Sequence, residues 1–287
     1  MRYERKIKTF GFINVDKPSG VTSSTVVNKI KRLTGQPCGH MGTLDPMASG
    51  VLPVAVGNAT RLFDYFLKKR KIYLAEFLFG ADSDTLDTTG EVTVLGSVPS
   101  EKEIEEVIPS LLGEVMQMPP KYSAKNVGGK RGYELARAGV SFELEPKQVE
   151  IDSIRLLGKG ERENSYRFEI ECGAGTYIRS IARDMAAALN TFGIMSGLKR
   201  TKSGIFEIAN AVPMDELTEE NIENYILPTP DVLPFERLDK QENSPLFNGM
   251  TEKTELKDGE YKLYKGGEFY GIAEVKQGRL KAKTKLC

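Results

Sequence analysis

Apolar and polar positions alternate along much of the chain, and the alternation comes in short runs. Tyr73, Ala75, Phe77 and Phe79 share one face of a strand predicted over 71–80, and Tyr166, Phe168, Ile170 and Cys172 one face of another over 165–172. The apolar run Phe10–Val15 reads as a buried strand that ends in the turn Asp16-Lys-Pro-Ser-Gly20. Further strands are expected over 51–56, where Pro53 suggests an edge or an irregular start, over 148–157, and as a pair across 194–208. Helical spacing is rarer. Val26, Val27, Ile30 and Leu33 line one face of a helix that Ser23 or Ser24 can cap and Gly35 stops. Leu62, Phe63 and Phe66 form the apolar side of a short helix over 60–67. Ser100 and Glu103 have capping-box spacing ahead of a helix near 101–112, in which Pro109 predicts a kink or an early end. The best helix spans 176–189, with Ile178, Ile181, Met185 and Leu189 at helical spacing. Between these, 117–147 is loop-rich, with Pro119-Pro120, Gly128-Gly129 and one short helix at 133–138, and is expected to be mobile.

Three prolines in the seven residues 228–234 form a linker signature. Beyond it, 238–287 contains short alternating segments separated by Asp258-Gly259, Gly266-Gly267 and Gln277-Gly278, which are hairpin turn signals. Two domains are therefore expected, 1–230 and a small β-rich unit 231–287.

Composition narrows the class of protein. The chain has 287 residues, 40% of them apolar and 28% charged, which is ordinary for a globular protein with a sizeable core. No apolar run approaches the roughly 20 residues that a membrane helix needs, and Met1–Lys6 lacks the apolar stretch of a secretory signal. Three cysteines (Cys38, Cys172, Cys287) without C-x-x-C spacing disfavour a disulfide framework or a zinc ribbon, and a single histidine rules out a His-rich metal site. The expectation is a cytoplasmic protein without a metal.

Net charge is zero, with 40 basic and 40 acidic residues, yet the charges are segregated. Lys121, Lys125, Lys130, Arg131 and Arg137 face only Glu134 within 121–137, and Lys276, Arg279, Lys281, Lys283 and Lys285 stand without an acid in 276–287. Asp215, Glu216, Glu219, Glu220 and Glu223 stand without a base in 214–226. A local basic face can bind phosphates whatever the total, although each such patch taken alone is ordinary solvated surface.

The chemistry centres on 35–52, a loop dense in glycine and proline that carries His40 and Asp45. Such a loop usually serves turns. Here Gly39, Gly42 and Gly50 allow close backbone approach, and Pro46 restricts Asp45 to extended geometry that presents its side chain. A carboxylate on a rigid loop suits a nucleophile or general base. Neither nucleotide-binding glycine motif is present.

The run His40-Met-Gly-Thr-Leu-Asp45-Pro-Met-Ala-Ser-Gly50-Val-Leu resembles the catalytic motif of the TruB family of pseudouridine synthases. Gly11–Ser23, Lys71-Ile-Tyr73-Leu-Ala, Pro119–Lys125 with Arg131-Gly-Tyr133, and Gly175-Thr-Tyr-Ile-Arg179-Ser match that family in the same order, over about 10–287. The resemblance implies an α+β fold: a mixed, mostly antiparallel sheet with flanking helices, then a small β-rich PUA-like domain. It implies isomerisation of uridine 55 in the T-loop of tRNA without cofactor or metal. By the same resemblance Asp45 is the nucleophile on C6 or on C1′, Arg179 keeps it ionised and oriented, and Tyr73 stacks on the uracil and accepts the C5 proton. Leu198 covers the other side of the base, while Tyr177 and Asp87 line the pocket. His40 inserts into the T-loop where the uridine has left. Lys125, Lys130 and Arg131 belong to an insertion over 117–147 that closes on the RNA. Lys68–Lys71, Lys199, Arg200 and Lys202 add phosphate contacts, and the lysines of the tail reach the acceptor stem. No membrane and no obligate protein partner are implied.

Other readings stay open on the sequence alone. A binding module that helps tRNA fold would use the same basic surface, beside the enzyme or instead of it. A carboxylate hydrolase of glycosidic bonds would need a second catalytic acid. A guide-RNA-dependent relative would act within a ribonucleoprotein.

Overall fold

A strand buried on both faces needs no alternation, and the first two long strands read that way. They are β1 (Gly11–Lys17) and β3 (Ser49–Val56), joined by helix α1 (Ser23–Thr34) and the short β2 (Cys38–His40). The computed structural model describes residues 10–123, 126, 127, 129–131, 138, 140, 142 and 144–286. Within them, β1 and β3 pair antiparallel in one large sheet. Its other long members are β4 (Lys71–Phe79), β5 (Gly113–Gln117), β6 (Lys147–Lys159), β7 (Ser165–Cys172) and β8 (Gly193–Ser203), with the two-residue β9 (Val212–Pro213) at one end. The order is β9-β1-β3-β8-β4-β7-β6-β5. Only β1–β9 and β3–β8 run parallel; the other pairs are antiparallel. The architecture is thus α+β, with a mixed, mostly antiparallel sheet.

Alternation sorts the two faces. Ile13, Val15, Leu52, Val54 and Val56 pack with Val26 and Ile30 of α1 and with Ile178, Ile181 and Met185 of the C-terminal helix of this domain, Ile178–Ala188. Phe12, Val51 and Ala55 point the other way, onto Leu62, Phe66 and Phe206, where rings of Phe12 and Phe66 lie 4.6 Å apart. The short helix there is α2 (Phe63–Leu67); α3 (Glu101–Val107), farther along the chain, packs Ile104 into the first core, and Ile178–Ala188 is α4. In α3 both halves of the Ser100–Glu103 capping box are made, and Pro109 turns the chain into a 3-10 turn, as expected.

Several expectations need correction. The cap of α1 is Thr22, whose hydroxyl accepts from Thr25 N at 3.0 Å; Ser23 is turned inward to another task. Phe63 is 40% exposed, because the chain there is a 3-10 turn followed by α2 and only Leu62 and Phe66 reach the core. Pro53 does not mark an edge. It lies between the stretch of β3 that pairs with β8 (Ser49, Gly50) and the stretch that pairs with β2 (Val54–Val56), so its missing N–H breaks neither ladder. The proline-rich 228–234 is not a free tether: Leu227–Pro228 pairs with β1, and Val232 and Leu233 are buried beside Phe12.

Beyond that segment stands a separate five-stranded sheet, β10 (Glu236–Lys240), β11 (Thr251–Lys253), β12 (Gly259–Lys265), β13 (Glu268–Lys276) and β14 (Arg279–Lys285), in the order β10-β12-β13-β14-β11. It docks on the second core through Ile272 and Leu286, and Arg61 Nη1 donates to Lys285 O at 2.6 Å. Of the basic face expected on its last strand, two of the three lysines are paired with acids. Lys283 pairs with Glu260 (2.7 Å) and Glu274 (2.9 Å), Lys281 with Glu274 (3.6 Å), and Lys285 lies over the Tyr270 ring. The short helix expected at 133–138 lies outside the described residues, apart from Ala138.

Candidate active site

The loop Met41–Ala48 joins β2 to β3, and four neighbours hold its backbone. Ser23 of α1 donates to Leu44 O (2.8 Å) and accepts from Leu44 N (2.9 Å). The ammonium of Lys17, at the end of β1, donates to Val21 O (2.8 Å), Pro18 O (2.9 Å) and Pro46 O (3.3 Å), while Gly20 N also reaches Pro46 O. Burial pulls the Lys17 ammonium down to about 8, with Asp45 opposing that fall. Arg200 of β8 lies beneath the loop, 1% exposed, and donates to Val51 O (2.7 Å), Gly42 O (3.0 Å) and Thr43 O (3.5 Å). At Gly50 the chain has φ of +99°, and a β-carbon there would stand 2.2 Å from Arg200 O, so only glycine lets β3 meet β8.

These ties leave Asp45 at the loop's surface, its side chain 36% exposed. Arg179, in the first turn of α4, reaches it: Nη2 lies 3.0 Å from Asp45 Oδ2. A cation at a helix start gains nothing from the helix dipole, so its partners must hold it. They do. Arg179 also donates to Thr85 O (2.9 Å) and Tyr122 O (3.0 Å), and Nη1 lies 3.3 Å from Asp87 Oδ2. Asp87 is 3% exposed, and its Oδ1 accepts from Thr85 Oγ1 (2.8 Å) and Thr89 N (2.9 Å). One buried guanidinium thus stands between two carboxylates, one locked in a turn and one open to a ligand. Such a pair orients the open carboxylate.

Tyr73 of β4 lies opposite Arg200 in the β4–β8 ladder, its hydroxyl against the guanidinium. Burial pushes the phenol up, and Arg200 only partly opposes this, so it is neutral at pH 7. Tyr177, just ahead of α4, is tied through its backbone to Gln117 at 2.8 and 3.2 Å, and burial followed by the charge of Asp45 raises its phenol. Leu198, half-buried, lines a cleft of about 520 Å³ with Met47, Ala75 and Thr88, so the loop that carries Asp45 forms part of its wall. His40 stands apart from this group. It lines a hollow of about 330 Å³ with Asn28 and Phe63, its Nδ1 is buried without a hydrogen bond among the described residues, and burial and then Arg200 lower its basicity, so it is neutral. Among the described residues no three of His, Cys, Asp and Glu converge as metal ligands do, and no helix is long and apolar enough to cross a membrane.

The structure therefore brings Asp45, Arg179, Asp87, Tyr73 and Tyr177 together, with Leu198 on the adjoining cleft. It corrects two of the expected phosphate contacts. Arg200 is core, because its strand register puts it on the face of Tyr73 and Leu198, and Lys71 is buried, its ammonium donating to Leu67 O; Lys202 stays at the surface, paired with Glu207 at 2.6 Å. Lys125 lies outside the described residues, and Lys130 and Arg131 are described only as backbone of a two-stranded ribbon with Asn126–Val127. Sequence reasoning missed the loop clamps Lys17, Ser23 and Arg200. The only signal was the position of Lys17 and Ser23 around the turn 16–20, since a carbonyl acceptor leaves no trace in the sequence.

The clamp has a measurable consequence. Arg200→Ala leaves three carbonyls of the loop without their donor and a void beneath it, and should lower stability by roughly 3–5 kcal/mol, seen as a fall in denaturation midpoint. A loss below about 1 kcal/mol would mean that the loop holds itself.

A family model described as TruB family pseudouridylate synthase (N terminal domain) matches residues 31–178, and one described as tRNA pseudouridylate synthase B C-terminal domain matches 179–238. Their boundary falls inside α4 and so is not a boundary between folded units. The chain is 40% identical over 284 residues to the tRNA pseudouridine synthase B of Clostridium kluyveri, covering 94% of this chain and 97% of that one. It is 37% identical over 287 residues to that of Aquifex aeolicus, covering 96% and 99%. Among solved structures, a Cbf5-Nop10-Gar1 complex superposes with a TM-score of 0.71 at 24% identity, over 97% of this chain and 85% of that one. At that identity the likeness is one of fold.

Proposed function

This chain belongs to the TruB family and is a tRNA pseudouridine synthase, and from that premise we propose that it isomerises uridine 55 of the T-loop with Asp45 as nucleophile and no cofactor or metal. The Asp45–Arg179–Asp87 cluster carries the reading: a single part-exposed carboxylate, held by a buried cation, on a loop whose Met47 lines a cleft. The reaction breaks N1–C1′, turns the base and joins C5 to C1′. Asp45 Oδ bonds to C6 of the base or C1′ of the sugar and later leaves; C5 loses a proton and N1 gains one, so the product is an isomer. Arg179 holds the attacking oxygen in place, and Asp87 holds Arg179. Tyr73, neutral, offers its ring to the uracil and its hydroxyl as a proton relay; Leu198 supplies apolar cover and Tyr177 a second phenol near Asp45. His40, neutral and aromatic, suits insertion into the opened T-loop by stacking.

In the same reading residues 1–230 are the catalytic domain and 231–287 a PUA-like RNA-binding domain. The pairing of Lys281 and Lys283 with acids of their own sheet supports the T-arm, more than the acceptor stem, as the principal contact. The test is incubation of purified protein with an unmodified T-arm hairpin in the presence of a chelator, followed by primer-extension mapping. One pseudouridine at position 55 is expected. No product, product that requires metal, or free uracil would overturn the reading.

A further inference from the structure

Several cations that the sequence offers to RNA are already taken. Arg70 pairs with Glu150 (2.7 Å) and Asp152 (3.0 Å), Lys202 with Glu207, and Lys281 and Lys283 with acids of their own sheet. Three exposed cations with no ion pair among the described residues share one place: Arg162, Arg167 and Lys199 all line the cleft that Met47 and Leu198 border. Arg162 and Arg167 come from the β6–β7 hairpin, which the sequence gives no reason to place there, and Lys199 follows Leu198 directly on β8.

Their support is rigid. Glu76 of β4 accepts from Glu161 N at 3.0 Å at the hairpin tip, and its other oxygen accepts from Ser196 Oγ at 3.0 Å on β8. Gly160 N donates to Ser165 O (2.8 Å), and Ser165 Oγ to Arg162 O (2.7 Å). Arg167 Nε donates to Lys159 O at 3.2 Å, which leaves its terminal nitrogens for a ligand. The acids of the wall are few: Glu76 is committed to this staple, and Glu161 is the other one lining the cleft. The backbone that carries these cations is thus fixed beside the cleft, an arrangement that suits the charge every nucleotide carries, and a fixed backbone gives up little entropy on binding.

We infer that Arg162, Arg167 and Lys199 form a phosphate-binding wall that grips the RNA backbone next to the everted uridine. This rests on the reading of the chain as acting on a T-arm. Binding is measured by anisotropy of a labelled T-arm hairpin between 50 and 200 mM salt, every variant being built on Asp45→Asn so that no turnover intervenes. Arg162→Ala with Arg167→Ala should raise Kd about tenfold at 100 mM salt, and should make the log–log salt slope shallower by about one for each cation removed. Arg155→Ala, an arginine of the same hairpin already paired with Glu169 at 2.8 Å, is the control and should bind as the parent does. An unchanged Kd and slope in the double variant, or an equal loss in the control, would overturn the wall. Failure of the wild-type protein to make pseudouridine would instead overturn the functional reading.

Discussion

An Asp45→Asn enzyme is expected to make no measurable pseudouridine while it binds T-arm RNA within severalfold of the wild type. The change keeps shape and removes only the charge and the nucleophilic oxygen. Arg179 retains Asp87, Thr85 O and Tyr122 O, and the loop retains its clamps at Gly42, Leu44 and Pro46, so the fold and the cleft survive. What is lost is the covalent route itself. Removing a nucleophile of this kind costs on the order of 10⁴–10⁶ in rate. Single-turnover assays with enzyme in excess read the rate, and anisotropy reads the affinity. Turnover within tenfold of the wild type would remove Asp45 from the chemistry. A loss that lay wholly in affinity would make it a binding residue.

The loop that carries Asp45 was legible because its residue types are unusual: glycines at 39, 42 and 50 with Pro46 leave little but an exposed carboxylate. The strands were legible wherever one face is buried, as in Tyr73–Phe79, because period-two alternation records burial directly. Other features left weaker records. Arg200 sits in a run Lys-Arg-Thr-Lys that reads as surface; only the ladder with Tyr73 shows that it faces inward. Lys281 and Lys283 read as a basic face because their partners Glu260 and Glu274 are distant in sequence and adjacent only across the sheet. Asp87 lies in a segment rich in Asp and Thr, where turn roles are common. It does sit in a turn, and it uses one oxygen for the turn and the other for Arg179. Pairing across strands and loops is a property of the fold, and a single sequence does not print it.

Arg179→Lys separates charge from geometry, and turnover should fall by about 10²–10³ with RNA affinity little changed. A lysine keeps a positive charge near the buried Asp87, so the protein should stay folded. It cannot copy the planar fork. The guanidinium sends Nη2 to Asp45 and Tyr122 O, and Nη1 to Asp87 and Thr85 O. An ammonium group is a single point that satisfies one side or the other. If Asp87 acts only by steadying that fork, Asp87→Asn should reduce turnover by a smaller factor, and adding it to Arg179→Lys should cost less than the product of the two single losses. Residues that act as one unit are not additive, so the double-mutant cycle reads the coupling directly. Strict additivity would mean that Asp87 reaches the RNA by itself. Retention of turnover within threefold in Arg179→Lys would mean that only the field of the cation matters, and Asp45 would then be held ready by its loop alone.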